Sequence, residues 1–479
     1  MDDKKVVALA TTSEVESTAL HPGELEYTEE EVTRARRKVD FRVLPLVVLM
    51  FCFLQFDRSN IGNALTDTLA KDVGINTSDI NLGQTIFTLG IFALELPSNI
   101  VAQRWGPQKW IPLLEIAWGA VTMGQAAMRS RSGFLTTRFL LAAFEAGFIP
   151  GMAWYLTGLY RTKELAFRLA IFWSANSIAG MVSGVLALGL LSAGSGSHLD
   201  GWQVLFLTEG GGTILVAILG GLLLPASVFD SDRPGRSLVG RVVFSERDAA
   251  VLAAALTHED PRMLTRATQR ATPKDIRDTL LDWRIYVHVI SAFLSSVMFT
   301  PFNTYGPSLV KSLGYKGYTA NGMVAPGSAL ALIFSFLLAY FSDRTRERAL
   351  FIAVAMLASG AGCLWLALPP VGTPKGVLYA GYLATVGTMG SAQGINAAWL
   401  SSRMPERKRP IALALYVMGI QLAGFAGSNI FKANDAPRYR HGLTICAGCV
   451  FAGAVVVLLG KLAYAWDDKE KPAHEKGLQ

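Results

Sequence analysis

Apolar residues in this chain fill whole stretches of roughly 20 residues, the length a helix needs to cross a bilayer, instead of recurring at amphipathic spacing. Such runs occupy 44–65, 84–101, 111–128, 134–155, 169–192, 204–224, 283–305, 319–341, 349–368, 377–400, 411–431 and 443–466. They leave little chain for a soluble domain. The expectation is an all-α membrane protein with about twelve transmembrane helices. The longest polar stretch, with Pro234, Gly235, Pro261 and Pro273, separates the sixth run from the seventh. The chain thus divides into a cytosolic tail and short helix (1–42), a six-helix half (43–226), a cytosolic linker (227–282), a second six-helix half (283–466) and a cytosolic tail (467–479).

Orientation follows from Lys and Arg, which concentrate in cytosolic connections. The connections 103–109, 161–168, 342–348 and 403–409 are basic, as are Arg34, Arg36, Arg37, Lys38 and Arg42 before the first run. Both termini therefore read as cytosolic, with the plasma membrane as the expected location. The formal charge of +7 is accounted for by this basic face and implies no nucleic acid. Thr28 followed by Glu29, Glu30 and Glu31 resembles a capping box opening a helix over 28–40. The polar segment 1–27 lacks the apolar core of a signal peptide. One further helix is expected in the linker, over 245–256.

Four charges interrupt the apolar runs. Asp57 and Arg58 lie in the first, and Arg138 and Glu145 in the fourth. Each ionised residue at membrane depth costs about 2.5–3.5 kcal/mol on insertion scales, so partners or a function must offset the cost. Arg138 and Glu145, seven apart, share nearly one helical face, whereas Asp57 and Arg58 diverge by about 100°. One of the adjacent pair can face a cavity while the other meets a neighbouring helix. A purely structural alternative is that the acids and bases pair to lock helices together.

The segments Asp57-Arg58-Ser59-Asn60-Ile61-Gly62-Asn63, Arg138-Phe139-Leu140 with Glu145-Ala146-Gly147 and Pro150-Gly151, Gly201-Trp202 with Phe206 and Glu209-Gly210, and Asn429-Ile430-Phe431 with Asp435-Ala436-Pro437-Arg438-Tyr439 and Gly442 jointly resemble the anion:cation symporter family of the major facilitator superfamily. The fungal allantoate-permease-like branch is the most similar in appearance. The similarity runs from about residue 40 to 460 of the chain. It implies two related six-helix halves with substrate held between them at mid-membrane, a small organic anion as cargo, and a monomer in the lipid bilayer. The loops after the second and eighth runs, with Arg104 and with Asp343-Arg344, resemble the superfamily's gating loops. Gln103 stands where Asp is usual, and Gln203-Val204 replaces the Arg-Trp that often follows Gly-Trp.

In such halves the first and fourth spans line the cavity, so the resemblance implies one network of the four charges. A guanidinium fork matches a carboxylate bidentately. Arg58 is the expected principal partner of the substrate carboxylate, with Arg138 supporting it or holding Glu145. A bound anion competes with the acids for the arginines, and protonation of an acid relieves that competition. Proton symport follows, with Glu145 the first candidate proton carrier and Asp57 the second. Glu95 is assigned to bracing the cytosolic gate. Glu115 and Glu209, taken to lie near helix ends, are read as structural. On the opposite wall, Asn303, Tyr305, Asn396 and Gln421 are candidate hydrogen-bonding substrate contacts, and Asn321 is a further neutral polar group. His288 is a weaker proton candidate. Cys446-x-x-Cys449 lacks a second pair and implies no metal, and without nucleotide-binding or hydrolase motifs neither a cofactor nor an enzyme is expected. An efflux carrier for an acidic metabolite and a non-transporting substrate sensor are the alternatives.

Overall fold

The computed structural model describes residues 26–194, 199–230, 234–237, 240–259, 273–315, 318–370, 372–404 and 408–470. The tails expected over 1–27 and 467–479 lie outside the described residues up to 25 and from 471. Helices dominate: α1 (Glu29–Arg42), α2 (Leu44–Ala64), α3 (Leu69–Val73), α4 (Thr77–Trp105), α5 (Pro107–Gln125), α6 (Arg131–Glu145), α7 (Phe148–Thr157), α8 (Thr162–Gly194) and α9 (Gly201–Leu223) come first. A connecting segment carries α10 (Glu246–Glu259) and α11 (Pro273–Leu280). Then follow α12 (Trp283–Ser296), α13 (Phe299–Ser312), α14 (Thr319–Gly322), α15 (Ala325–Thr345), α16 (Arg348–Ala367), α17 (Lys375–Met389), α18 (Ser391–Arg403), α19 (Arg409–Gly427) and α20 (Arg440–Glu470).

Among the described residues, nine helical stretches are long and apolar enough to cross a membrane. The other three apolar runs also carry helices: α5, the pair α17 and α18, and the shorter α19. Four spans are broken, that of α17 and α18 at Gly390, and the other three breaks share a cause. Proline lacks an N–H and its ring crowds the carbonyl four residues earlier. Pro150, Pro301 and Pro326 stand four residues after Ala146, Val297 and Gly322, which are where α6 gives way to α7, α12 to α13 and α14 to α15. Glu145 is consequently the last residue of α6.

Thr28 caps α1 as expected: its hydroxyl accepts from the Glu31 amide at 3.3 Å, and the Glu31 carboxylate accepts from the Thr28 amide at 3.1 Å. The linker helix begins at Glu246, with Ser245 and Asp248 making the reciprocal pair. Val32 of α1 packs on Val251 and Ala255 of α10, and Lys38 reaches Asp248 at 2.5 Å. Two short polar segments, each opened by a reciprocal capping pair, thus form a strap of helices at one end of the bundle, here called the linker end.

The helices before and after the connecting segment join at the opposite, far end. One hydrophobic core joins Ile61, Leu69, Ile80, Phe134 and Trp202 to Phe302, Tyr305, Phe431 and Tyr439. Bonds across the groups cluster there too. Lys311 Nζ donates to the Thr66 carbonyl at 2.6 Å, Asn321 to the Thr66 hydroxyl at 2.8 Å and Tyr318 to Asp67 at 3.1 Å. Tyr305 donates to Asn81 at 2.5 Å, and Asn81 donates to the Phe431 carbonyl at 2.8 Å. At the linker end, by contrast, the ion pairs of the described residues stay within one group: Arg36–Glu164 and Arg168–Asp40 in the first, Arg284–Asp467 and Lys461–Glu347 in the second. Among the described residues, hydrogen bonds across the two groups gather at the far end, and no ion pair crosses them at the linker end.

Candidate functional site

The adjacent Asp57 and Arg58 diverge as helical geometry requires. Arg58 turns toward α6 and donates from Nε to Glu145 Oε2 at 2.8 Å. Its side chain is 27% exposed and that of Glu145 only 1%. The pair therefore sits at a wall, with the base partly accessible and the acid behind it. Nε is the only nitrogen of Arg58 bonded to a described residue, and its terminal nitrogens are the edge a carboxylate fork would take.

Asp57 turns the other way. It is buried between α5 and α9, where its Oδ2 accepts from Trp118 Nε1 and Thr213 Oγ1, each at 3.0 Å. Arg138 is buried and donates from Nη2 to Gln125 Oε1 at 3.1 Å, so the ion pair to Glu145 is made by Arg58 and not by Arg138. The four charges are near enough to act on one another through space, but only Arg58 and Glu145 form a direct ion pair, while Asp57 and Arg138 are hydrogen-bonded to neutral partners. Phe87 of α4 joins them by another route: its ring centroid lies 5.7 Å from the Arg58 guanidinium carbon and 5.6 Å from that of Arg138. The electron-rich face of an aromatic ring attracts a nearby guanidinium, so Phe87 is a shared neighbour of both cations. Close packing of α4 on α6 makes this possible, because a Cβ at Gly83 would stand 3.0 Å from Arg138 Cγ and 2.6 Å from Phe134 Cε1.

The remaining candidates scatter. Gln421 of α19 reaches Glu95 of α4, across the two groups. Glu95 is only partly buried. Asn303 is exposed on α13, and its carbonyl abuts Gly62 of α2, where an added Cβ would stand 2.7 Å away. Tyr305 belongs to the far-end seal. Asn396 is buried inside the second group, its Oδ1 accepting from His288 Nδ1 at 2.6 Å and its amide nitrogen donating to Ser291 at 3.0 Å. His288 has its second nitrogen on Tyr464 at 3.1 Å, so this is a closed packing network. Asn321 lies in the far-end seal with Tyr305.

Arg104, Asp343 and Arg344 are exposed and make no ion pair among the described residues; Glu347–Lys461, at 2.7 Å, ties the second group's helix ends instead. Glu115 and Glu209 are not near helix ends: each lies well inside its helix and is buried. Phe87, Gln125, Trp118 and Thr213 were not singled out from the sequence. As isolated neutral residues in apolar runs they give no signal before the charges they touch are placed.

A profile of the Major Facilitator Superfamily matches residues 47–428. The chain is 30% identical over 457 residues to an uncharacterized transporter of Saccharomyces cerevisiae, covering 94% of this chain and 83% of that one. It is 28% identical to the MFS-type transporter efuF of Hormonema carpetanum, covering 98% and 93%, and 30% identical to the major facilitator-type transporter hxnP of Emericella nidulans, covering 91% and 87%. Among solved structures, the partially occluded inward-open xylose transporter XylE of E. coli superposes with a TM-score of 0.65 at 16% identity, covering 87% and 96%. A bacterial homologue of the human lysosomal transporter Spinster, in an inward-facing and unoccupied conformation, gives 0.62 at 16% identity, covering 91% and 96%. The all-helical architecture has the same fold as these transporters. The chain belongs to the Major Facilitator Superfamily, as a multi-pass membrane protein of the transporter class and not an enzyme.

Proposed function

We propose that this protein is a proton-coupled carrier of a small organic anion, working by alternating access of two six-helix halves in the plasma membrane, with the linker end and both termini cytosolic. The observation that carries this reading is the Arg58–Glu145 ion pair, with the guanidinium partly open and the acid behind it. An incoming carboxylate competes with Glu145 for Arg58. Displaced from its cation in a buried place, Glu145 takes up a proton from water and becomes neutral; the guanidinium and the cargo then form the new pair. Cargo and proton each favour the other's binding, and the coupling is reciprocal. Phe87 holds Arg138 nearby as a second positive charge, which adds to the field on an anion. The resemblance of the Asp57-Arg58 and Arg138 to Gly151 motifs to the anion:cation symporters supports the same cargo class, with allantoate-like and vitamin carboxylates as the first to try.

The far-end seal supports a resting state open to the cytosol. Glu95 and Gln421, which face each other across the halves in this state, are the pair we assign to drawing closer as that side closes. The deciding experiment screens a carboxylate library by thermal shift on the purified protein at acidic and neutral pH, then measures pH-driven uptake of the hits in proteoliposomes. A carboxylate that stabilises more in acid and accumulates with an inward proton gradient is the expected result. Stabilisation only by neutral or cationic compounds would refute the anion. Expulsion of label along the same gradient would mark an efflux carrier.

A further inference from the structure

Behind the cleft wall, where α2, α5 and α9 meet, Asp57, Glu115 and Glu209 are all at most 1% exposed, and none forms an ion pair among the described residues. Helical phase gathers them. Asp57 is held by Trp118, a turn beyond Glu115 on α5, and by Thr213, a turn beyond Glu209 on α9, so both glutamates face the seam that receives Asp57. The seam is tight: a Cβ at Gly119 would meet the Gly210 carbonyl at 3.1 Å. Of the nearby cations, Arg58 is paired with Glu145, and Arg138, bonded to neutral Gln125, acts through space on Asp57, as does Glu145 with the opposite sign, while neither cation forms an ion pair with Glu115 or Glu209. The titratable residues of α8, which also packs here, sit at its linker end, Glu164 with Arg36 and Arg168 with Asp40.

Two neutral groups independently mark the seam. Asn60 is fully buried and directed at Glu209, without a hydrogen bond of good geometry from its amide nitrogen or to its oxygen. Thr122 is fully buried, and its hydroxyl is directed at Asp57, likewise short of a hydrogen bond of good geometry. Both oxygens of Glu115, both of Glu209 and Oδ1 of Asp57 likewise lack a hydrogen bond of good geometry. Acceptor oxygens thus outnumber the N–H and O–H groups able to serve them. No group of three acids, histidines or cysteines among the described residues is arranged to hold a metal ion. A proton on a carboxylate supplies a donor and removes the charge together, and an isolated buried carboxylate otherwise carries a desolvation cost of roughly tens of kcal/mol in a medium of low dielectric.

We propose that Glu115 and Glu209 form a second proton-binding site, separate from the Arg58–Glu145 pair, that takes protons from water and holds both acids neutral around Asp57 and Asn60. The site does not require the cargo to be an anion, so its failure and that of the carrier reading are separate results. The test is infrared difference spectroscopy of the purified, cargo-free protein between neutral and alkaline pH. Wild type should show the carbonyl stretch of protonated carboxyl groups, and E115Q and E209Q should each lose about one carboxyl of that band. E145Q should retain what they lose. Absence of the band in wild type, which depends on no variant's folding, or an unchanged band in both glutamine variants, would overturn the site.

Discussion

Replacing Glu145 with glutamine removes the competitor for Arg58 while keeping a side chain of the same size. At 2.8 Å the two opposite charges attract by about 6 kcal/mol at an effective dielectric of about 20. That is a gross figure. Arg58 keeps contact with solvent, and a hydrogen bond to a charged group nets about 1.5–3 kcal/mol. Released to the cargo, this corresponds to roughly ten- to a hundredfold tighter binding of a carboxylate at neutral pH. The sign of the pH effect follows from proton uptake: wild type binds cargo and one proton together, so affinity rises as pH falls, by up to about tenfold per unit while Glu145 is being protonated. E145Q imitates the protonated state and should bind with no such slope, exchange cargo across the membrane, and fail to accumulate it under a proton gradient. Calorimetric titration across pH and gradient-driven uptake in proteoliposomes read both effects. An E145Q protein that keeps the wild-type pH slope, or still accumulates cargo, would refute the competition.

Arg58→Lys should weaken binding of a monocarboxylate by roughly ten- to a hundredfold, since a single ammonium cannot present the fork; unchanged affinity in the same titration would move the anion elsewhere. Gly83→Ala places a methyl group into Phe134 and the stem of Arg138 and should cost about 1–3 kcal/mol by overpacking, visible as a lowered melting temperature; no shift would contradict the tight α4–α6 contact. At the linker end, burial works against the charge on Asp248, but hydrogen bonds from Lys38 and from the Ser245 hydroxyl and amide outweigh it and hold the carboxyl below its usual range. With a depressed value in the folded state, its contribution to docking α1 is present above the ordinary carboxylate range and is lost as pH falls through the lowered value. Asp248→Asn should therefore raise amide exchange in 29–42 already at neutral pH, and exchange equal to wild type would exclude the Lys38 bridge from docking.

The helices were legible because apolar runs of spanning length have few other fates, and Thr28 with Glu31 announces a start through chemistry that is local. The divergence of Asp57 from Arg58 followed from the helical angle alone. Which base meets Glu145 did not. Arg138 shares its helix and face, yet α2 brings Arg58 closer, and the distance between α2 and α6 is set by packing residues such as Gly83 and Phe87 that carry no charge. Tyr305 and Asn396 illustrate the same gap: polarity inside an apolar run marks a hydrogen bond but not whether it faces a cleft, a seal or a helix interior. Glu115 and Glu209 were misplaced because Pro107 and Gly201 open their helices a turn or more before the apolar character becomes continuous.

The seal at the far end has an asymmetry in its chemistry. Lys311 and Asn81 deliver their protons to main-chain oxygens, those of Thr66 and Phe431. A peptide oxygen cannot be deleted by changing the side chain beside it, so substitutions at Thr66 and Phe431 leave these two latches their receiving half. Divergence among relatives in how readily this door opens should therefore be written in the residues that give the hydrogen, and a search for altered transport kinetics is best aimed at positions 81 and 311.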